Sequence, residues 1–423
     1  MSIPAGAAVR EPSFQPLKGL LVLDFSKILA GPLCTQYLGD MGADVIKVEP
    51  CRGGDDTRMW PPFHDGDGTI FLSVNRNKRS LALDLKSSEG LAICRRLAER
   101  SDIVVESFGP GVADRLGIGY AALREINSRL IYCSISGYGT VGPMKDGKGY
   151  DLIAQAFTGM LAMTGEPGGP PMRSPFSPVD QGTGLHAVIG ILGALLNRAT
   201  TGTGVKIEAS LFDSAVGFLG YFLQSYWRTG VDPVPPGSGH ESLCPYQAFQ
   251  TSDGQLILGI ANDALWQRFC VLAEKPDLAD DPRFRTGADR VANRDATVAA
   301  VAEIVRGRSR AAWLGLLEAH AIPCSPVHTL SELSRHPHTE ASGMVMPYGG
   351  GDPALKGVAA AIRADGRRMA PRMQPPRLGE HSRDILSELG FSQEEADALL
   401  RAQVIAVDSG ARLRSGEAAS VPA

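Results

Sequence analysis

Residues 19–25 read Gly-Leu-Leu-Val-Leu-Asp-Phe, and residues 30–48 read AGPLCTQYLGDMGADVIKV. The first run is short, dense and apolar, the pattern of a strand buried on both faces. Ala30-Gly31-Pro32 then opens a helix, Leu33 to Met41, because Pro suits a first helical turn. Gly42 closes that helix, and Ala43–Val48 is the next strand. Strand, helix, strand is the repeating unit of a parallel sheet. The lone glycine at the first turn is not a GxGxxG fingerprint, so a dinucleotide is not indicated. A helix start after a strand still favours an anionic or polar ligand.

The alternation continues outward. Ser80–Leu83, Ile103–Glu106, Leu130–Ser136 and Val205–Ser210 read as strands. Ser87–Arg100, Pro110–Leu116 and Tyr150–Met163 read as helices between them, which makes an open α/β domain. Leu185–Leu196 and Leu211–Tyr226 read as core helices, too short or too interrupted to span a bilayer. Val231–His240 is a Pro- and Gly-rich linker. Beyond it, a hairpin over Tyr246–Ile260 and helices at Asp263–Leu272, Asn293–Arg306 and Arg310–His320 form a smaller α/β domain. Gly349–Gly351 breaks the chain again, and Ser392 with Glu395 forms a capping box for a late helix.

A chain of 423 residues exceeds one ordinary core, so two domains are expected. With a net charge of −4 and no basic block, nucleic acid is not indicated as a partner. The seven scattered cysteines include no CxxC pair, which suggests reduced core thiols, no metal site and a cytoplasmic setting. Met1–Pro16 lacks the pattern of a signal peptide, and no membrane association is expected.

One acidic residue stands out. Asp180 lies between a Pro-rich approach (Pro170, Pro171, Pro175, Pro178) and two glycines, Gly182 and Gly184, at the start of the apolar helix. An acid there can be an N-cap or a reactive carboxylate, and spacing alone does not separate the two.

The ordered set PLKGLLVLDFS, AGPLCTQYLGDMGADVIKVEP, GGDDTR, NRNKRSLALDLKSSEG, SDIVVESFGPGVADRLGIGY, GYDLIAQA and PVDQGTGLHAVIGILGALL resembles the class III coenzyme A transferases, the group that includes formyl-CoA transferase. The match runs from about Pro16 to Leu400. The resemblance implies a Rossmann-like large domain built from both chain ends, a smaller middle domain, and an interlocked homodimer. The domains are then 1–228 (large), 229–240 (linker and glycine loop), 241–340 (small), 341–405 (return to the large domain) and 406–423 (a disordered tail by composition).

It also implies site residues. Asp180 falls on the carboxylate nucleophile. Ile28 falls on the pantetheine path, Leu83 and Lys86 beside the nucleotide, Arg115 and Leu116 at the same end, Lys148 near the phosphates, and Tyr150 near the reaction centre. Pro50 replaces a CoA-binding arginine, with Arg52 as the nearby substitute, and Ser107 replaces an asparagine. Gly237, Gly239 and His240 (GSGH before CPYQAF) resemble the loop of dicarboxylate-using members, with His240 or Arg173 facing the acceptor's distal carboxylate. Taken without the resemblance, Lys86, Arg115 and Lys148 are ordinary surface charges, and Gly237–His240 is a linker turn.

The activity implied is transfer of coenzyme A from succinyl-CoA to a small dicarboxylate, with coenzyme A as a substrate rather than a tightly bound cofactor. Such chemistry expects Asp180 to keep a pKa near ~4 or below. It also expects backbone N–H groups of Gln181–Gly184 to serve the oxyanion. The nearest rival is α-proton exchange like that of α-methylacyl-CoA racemase. That reaction needs a histidine where this chain has Tyr150, and a tyrosine of pKa ~10 is a poor base. A non-catalytic nucleotide binder would have no use for Asp180.

Overall fold

The computed structural model describes residues 14–348, 355–369 and 371–408. The glycine break at 349–351 and the tail beyond 408 lie outside these residues.

The larger unit holds residues 1–158, 175–220 and 339–423. Its sheet has six parallel strands: β1 (Leu21–Asp24), β2 (Asp44–Glu49), β3 (Lys78–Leu83), β4 (Ile103–Glu106), β5 (Ile131–Ser136) and β6 (Lys206–Ser210). They run in the order β3-β2-β1-β4-β5-β6, with Ile405–Ala406 added antiparallel beyond β3. This is the doubly wound order, and its direction reverses between β1 and β4.

The apolar runs alternate between two cores, as the pleat requires. Leu23, Ile46 and Val104 face one cluster, covered by α2 (Ser88–Arg100) and by Ile385 and Leu386 from the C-terminal segment. Val22, Val45, Ile103 and Val105 face the other, covered by α1 (Ala30–Asp40) and α4 (Pro178–Thr201). Full burial of each such side chain is worth about 1.5–3 kcal/mol. These strands therefore read as continuous apolar runs because both of their faces are covered.

The smaller unit holds residues 159–174 and 221–338. A three-stranded antiparallel sheet of β7 (Tyr246–Gln250), β8 (Gln255–Gly259) and β9 (Cys324–Pro326) backs a core of Trp266, Phe269, Phe284 and Trp313.

Four expectations are corrected. The helix at Tyr150–Met163 is only α3 (Asp151–Phe157), because Gly159 turns left-handed at φ +86°. The run Leu211–Tyr226 is two helices, α5 (Leu211–Phe218) and α6 (Gly220–Thr229), broken where the Leu219 N–H closes onto the Val216 carbonyl. The change of unit falls there, at Gly220, and not at residue 229. Residues 159–174, placed within 1–228, belong to the smaller unit, where the Gly237 N–H donates to the Gly165 carbonyl at 2.9 Å. Finally, α4 spans 24 residues, long and apolar enough to cross a membrane. One face of it packs in the core through Ala187, Val188, Ile191 and Ala194, and its buried Arg198 pairs with Asp102 at 2.9 Å.

Candidate active site

In a doubly wound sheet the ligand crevice lies beyond the carboxyl ends of the strands, at the switch point. The sequence-selected residues of the larger unit follow those ends. Ile28 follows β1, Arg52 follows β2, Lys86 follows β3, Ser107 and Arg115 follow β4, and Lys148 and Tyr150 follow β5. Lys86, Arg115, Lys148 and Tyr150 are exposed. Arg52 reaches Gln403 at 3.3 Å. Leu83 ends β3 with its side chain enclosed in the core and its backbone paired with Ile405. Leu116 is half-buried against the same core.

Ser107 ties the two sides of the switch point together. Its Oγ accepts the Lys27 N–H at 2.9 Å. A cavity of about 440 Å³ opens beside it, lined by Phe108, Gly111 and Asp114 on one side and by Glu106, Tyr132 and Lys206 on the other. Burial raises the Glu106 carboxyl above its usual range.

Beneath the crevice lies a chain of buried charges that sequence reading did not single out. Lys78 Nζ donates to Asp24 at 2.9 Å, to the Pro32 carbonyl and to Asn75. Lys47 pairs with Asp55 at 3.0 Å and donates to the Ser26 carbonyl at 2.9 Å. Arg58 spans Glu49 with two bonds of 2.8 Å. Burial pulls Lys78 down to about 8 despite Asp24. Burial works to raise Asp55, but Lys47 and the Thr57 N–H outweigh it and hold the carboxyl at about 2. The sequence signal was available for Lys47, which interrupts the apolar run Val45-Ile46-Val48 of β2, but not for Lys78, which opens β3 beside the polar Arg79 and Ser80.

Asp180 sits in the first turn of α4, not at its cap. The cap position is Ser177, held left-handed at φ 51°, and its side chain makes no capping bond. Asp151, from the first turn of α3, does that work. Its Oδ1 accepts the N–H groups of Val179 (2.9 Å) and Asp180 (3.2 Å), and Gln155 donates to its other oxygen. Asp151 is buried and was missed by the sequence reading, although it directly follows Tyr150.

With the cap supplied from elsewhere, the half-buried Asp180 carboxylate has no hydrogen-bond partner among the described residues. Burial first, and the neighbouring Asp151 charge second, push its pKa up to about 7. This departs from the expectation of ~4 or below, since burial and a like charge both disfavour the anion. The expected oxyanion donors are corrected too. The helix starts two residues before Asp180, so the Gln181 N–H is spent on the Ser177 carbonyl and those of Gly182–Gly184 lie inside the helix.

The two glycines position the helix. A Cβ on Gly184 would lie 2.5 Å from the Ala30 carbonyl oxygen, so α4 touches the first turn of α1 directly. Asp180 is one turn before Gly184 on the same face. It therefore stands on the side of α4 that meets the end of the β1 loop. A Cβ on Gly182 would meet the Phe218 ring at 2.1 Å. Gly137 and Gly149 likewise touch backbone to backbone, which fixes Lys148 and Tyr150 at the end of β5.

Gly237, Gly239, His240 and Arg173 belong to the smaller unit. The turn is tied down, with Gly237 N–H on Gly165 O, Gly239 N–H on Pro236 O, and Ala248 N–H on Ser238 Oγ. His240 Nδ1 accepts the Ser242 N–H at 3.1 Å, and its ring meets Tyr246 edge-on. Arg173 is exposed.

Residues 17–382 match the model of CoA-transferase family III. The chain is 38% identical over 398 residues to the succinyl-CoA:glutarate CoA-transferase of Mus musculus, covering 93% of this chain and 91% of that one. It is 36% identical to the succinate–glutarate CoA-transferase of Agrobacterium fabrum, over 88% of this chain and 96% of that one. The crystal structure of a CAIB/BAIF family protein from Brucella suis superposes with a TM-score of 0.81 at 37% identity, covering 89% of this chain and all of that one. The chain belongs to CoA-transferase family III and is a CoA-transferase, moving coenzyme A between acyl-CoA and carboxylic acids.

Proposed function

We propose that the chain moves coenzyme A from succinyl-CoA to a small dicarboxylate through covalent intermediates on Asp180. The observation that carries this reading is the Asp180 carboxylate itself. It is relieved of capping by Asp151, left without a hydrogen bond, and set at the start of α4 beside the switch-point crevice.

The unbonded carboxylate attacks the thioester carbonyl, and the CoA thiolate leaves to give a mixed anhydride. The thiolate then attacks the Asp180 carbonyl of that anhydride. Succinate departs and an aspartyl-CoA thioester remains. The acceptor carboxylate attacks this thioester, and CoA thiolate returns to the acceptor's acyl carbon, regenerating the Asp180 anion. Each step breaks one acyl bond and forms another, so no external base or oxidant is needed. A carboxyl with pKa about 7 is partly ionised at neutral pH, and the ionised fraction is an undersolvated, reactive nucleophile. Lys86, Arg115 and Lys148 are the cations offered to the CoA phosphates, with Arg52 as a fourth, while Ile28 and Ser107 border the pantetheine arm.

The two glutarate relatives support a dicarboxylate acceptor of similar length, for which Arg173 and His240 are the charged and polar groups offered. Exposed apolar side chains on α3 and α4, among them Phe157 (53%), Ile189 (66%) and Leu196 (75%), support assembly as a homodimer. We place the enzyme in the cytoplasm.

The test is mass spectrometry with succinyl-CoA and a panel of carboxylic acids, on wild type and Asp180→Ala. A new acyl-CoA from wild type and none from the variant supports the reading. Equal transfer by both would end it.

A further inference from the structure

Ile28 is β-branched and yet held left-handed, at φ 71°, at the tip of the loop that leaves β1. For such a residue this conformation is strained and persists only when its surroundings impose it. The constraint is visible. Both Asp55 carboxylate oxygens lie 3.3 Å from the Ile28 N–H. The same carboxylate is gripped by Lys47 at 3.0 Å and by Thr57 through its N–H (3.0 Å) and hydroxyl (2.8 Å). Lys47 also holds the Ser26 carbonyl, and Ser107 holds the Lys27 N–H, so all three residues of the tip are pinned. Asp55 and Lys47 are buried, and the Asp55 backbone N–H is fixed by Glu49 at 3.0 Å. The α1 helix starts two residues later with no side-chain cap.

We propose that Asp55, oriented by Lys47, is a positioning residue that holds Ile28 in its left-handed turn and so shapes the crevice wall on which coenzyme A lies. The inference rests on the placement of coenzyme A along Ile28 given above. Asp55 touches no reacting atom; it acts through the Ile28 N–H. The strain at Ile28 is what makes the carboxylate necessary. Glycine adopts the left-handed region freely and needs no such hold.

The test is the dissociation constant for free coenzyme A, by titration calorimetry, on wild type, Asp55→Ala, Ile28→Gly and the double variant. With isoleucine at 28, Asp55→Ala, which removes the acceptor, is expected to weaken binding about five- to tenfold, the scale of releasing one strained residue. With glycine at 28, the same substitution is expected to change binding less than about twofold. The same factor in both backgrounds, or no change with isoleucine, overturns the inference, because a merely structural role would not be rescued by Ile28→Gly. Asp55→Ala leaves Lys47 buried without its closest partner. If that variant fails to fold, Lys47→Met with Asp55→Leu removes both charges, and the same comparison decides. Failure of the Asp180 chemistry would show in the turnover of Asp180→Ala and leave these constants untouched, so the two failures are distinguishable.

Discussion

Replacing Asp151 by Asn separates its two roles. The amide oxygen of an asparagine still accepts the Val179 and Asp180 N–H groups, so the cap on α4 survives. What disappears is the like charge beside Asp180. The Asp180 pKa rises from 3.8 to about 7, with burial the larger cause and Asp151 the smaller. Asp151 therefore accounts for less than half of that rise, so its removal lowers the Asp180 pKa by up to about 1.5 pH units. The assay is the pH dependence of kcat/KM for succinyl-CoA between pH 5 and pH 8. If Asp180 carries the reaction as proposed, wild-type activity falls as pH drops through about 7, where its carboxylate takes up a proton. In Asp151→Asn that fall moves to lower pH, while the melting temperature changes little. A fall that stays in place, or moves upward, would refute the electrostatic coupling of the two carboxylates. A wild type with a flat profile over this range would refute a catalytic Asp180 of raised pKa.

Other outcomes follow from the same geometry. Because Asp180 binds its proton more tightly folded than unfolded, its contribution to stability falls as pH rises from about 4 to about 7 and is fully unfavourable above. Asp180→Asn should therefore raise the melting temperature at pH 8 and do so less at pH 4; equal gains would contradict the linkage. Gly184→Ala should cost about 1–3 kcal/mol and depress kcat, since the new Cβ meets the Ala30 carbonyl, a backbone atom that cannot step aside. Gly315→Ala, in an exposed helix turn with open space around it, should stabilise by about 0.5–1 kcal/mol in urea melts. Lys78→Met leaves Asp24 buried without its closest cation and should cost about 3–5 kcal/mol in the same assay.

The parallel sheet was legible because its strands are buried on both faces, and such strands announce themselves as runs like LLVLDF. The Ser392–Glu395 capping box appeared as read, because a cap depends on residues three apart and nothing distant. Helix lengths fared worse. The start of α4 was read at Leu185, where the apolar run begins, whereas it starts at Pro178 because Asp151 supplies a cap from 28 residues away. A short helix such as Tyr120–Ile126 carries too few apolar positions to show a period.

The sequence by itself determined the α/β class and the family and pointed to Asp180, since these rest on local periodicity and on an ordered set of motifs. The tertiary structure alone decided what kind of carboxylate Asp180 is. Its pKa depends on burial and on a second acid distant along the chain, and electrostatics act through space. The same holds for Leu83, whose backbone pairs with Ile405, and for Asp55, whose carboxylate meets the N–H of Ile28, 27 positions away. Distances of a few ångströms between residues far apart in sequence are set by packing, and no periodicity along the chain records them.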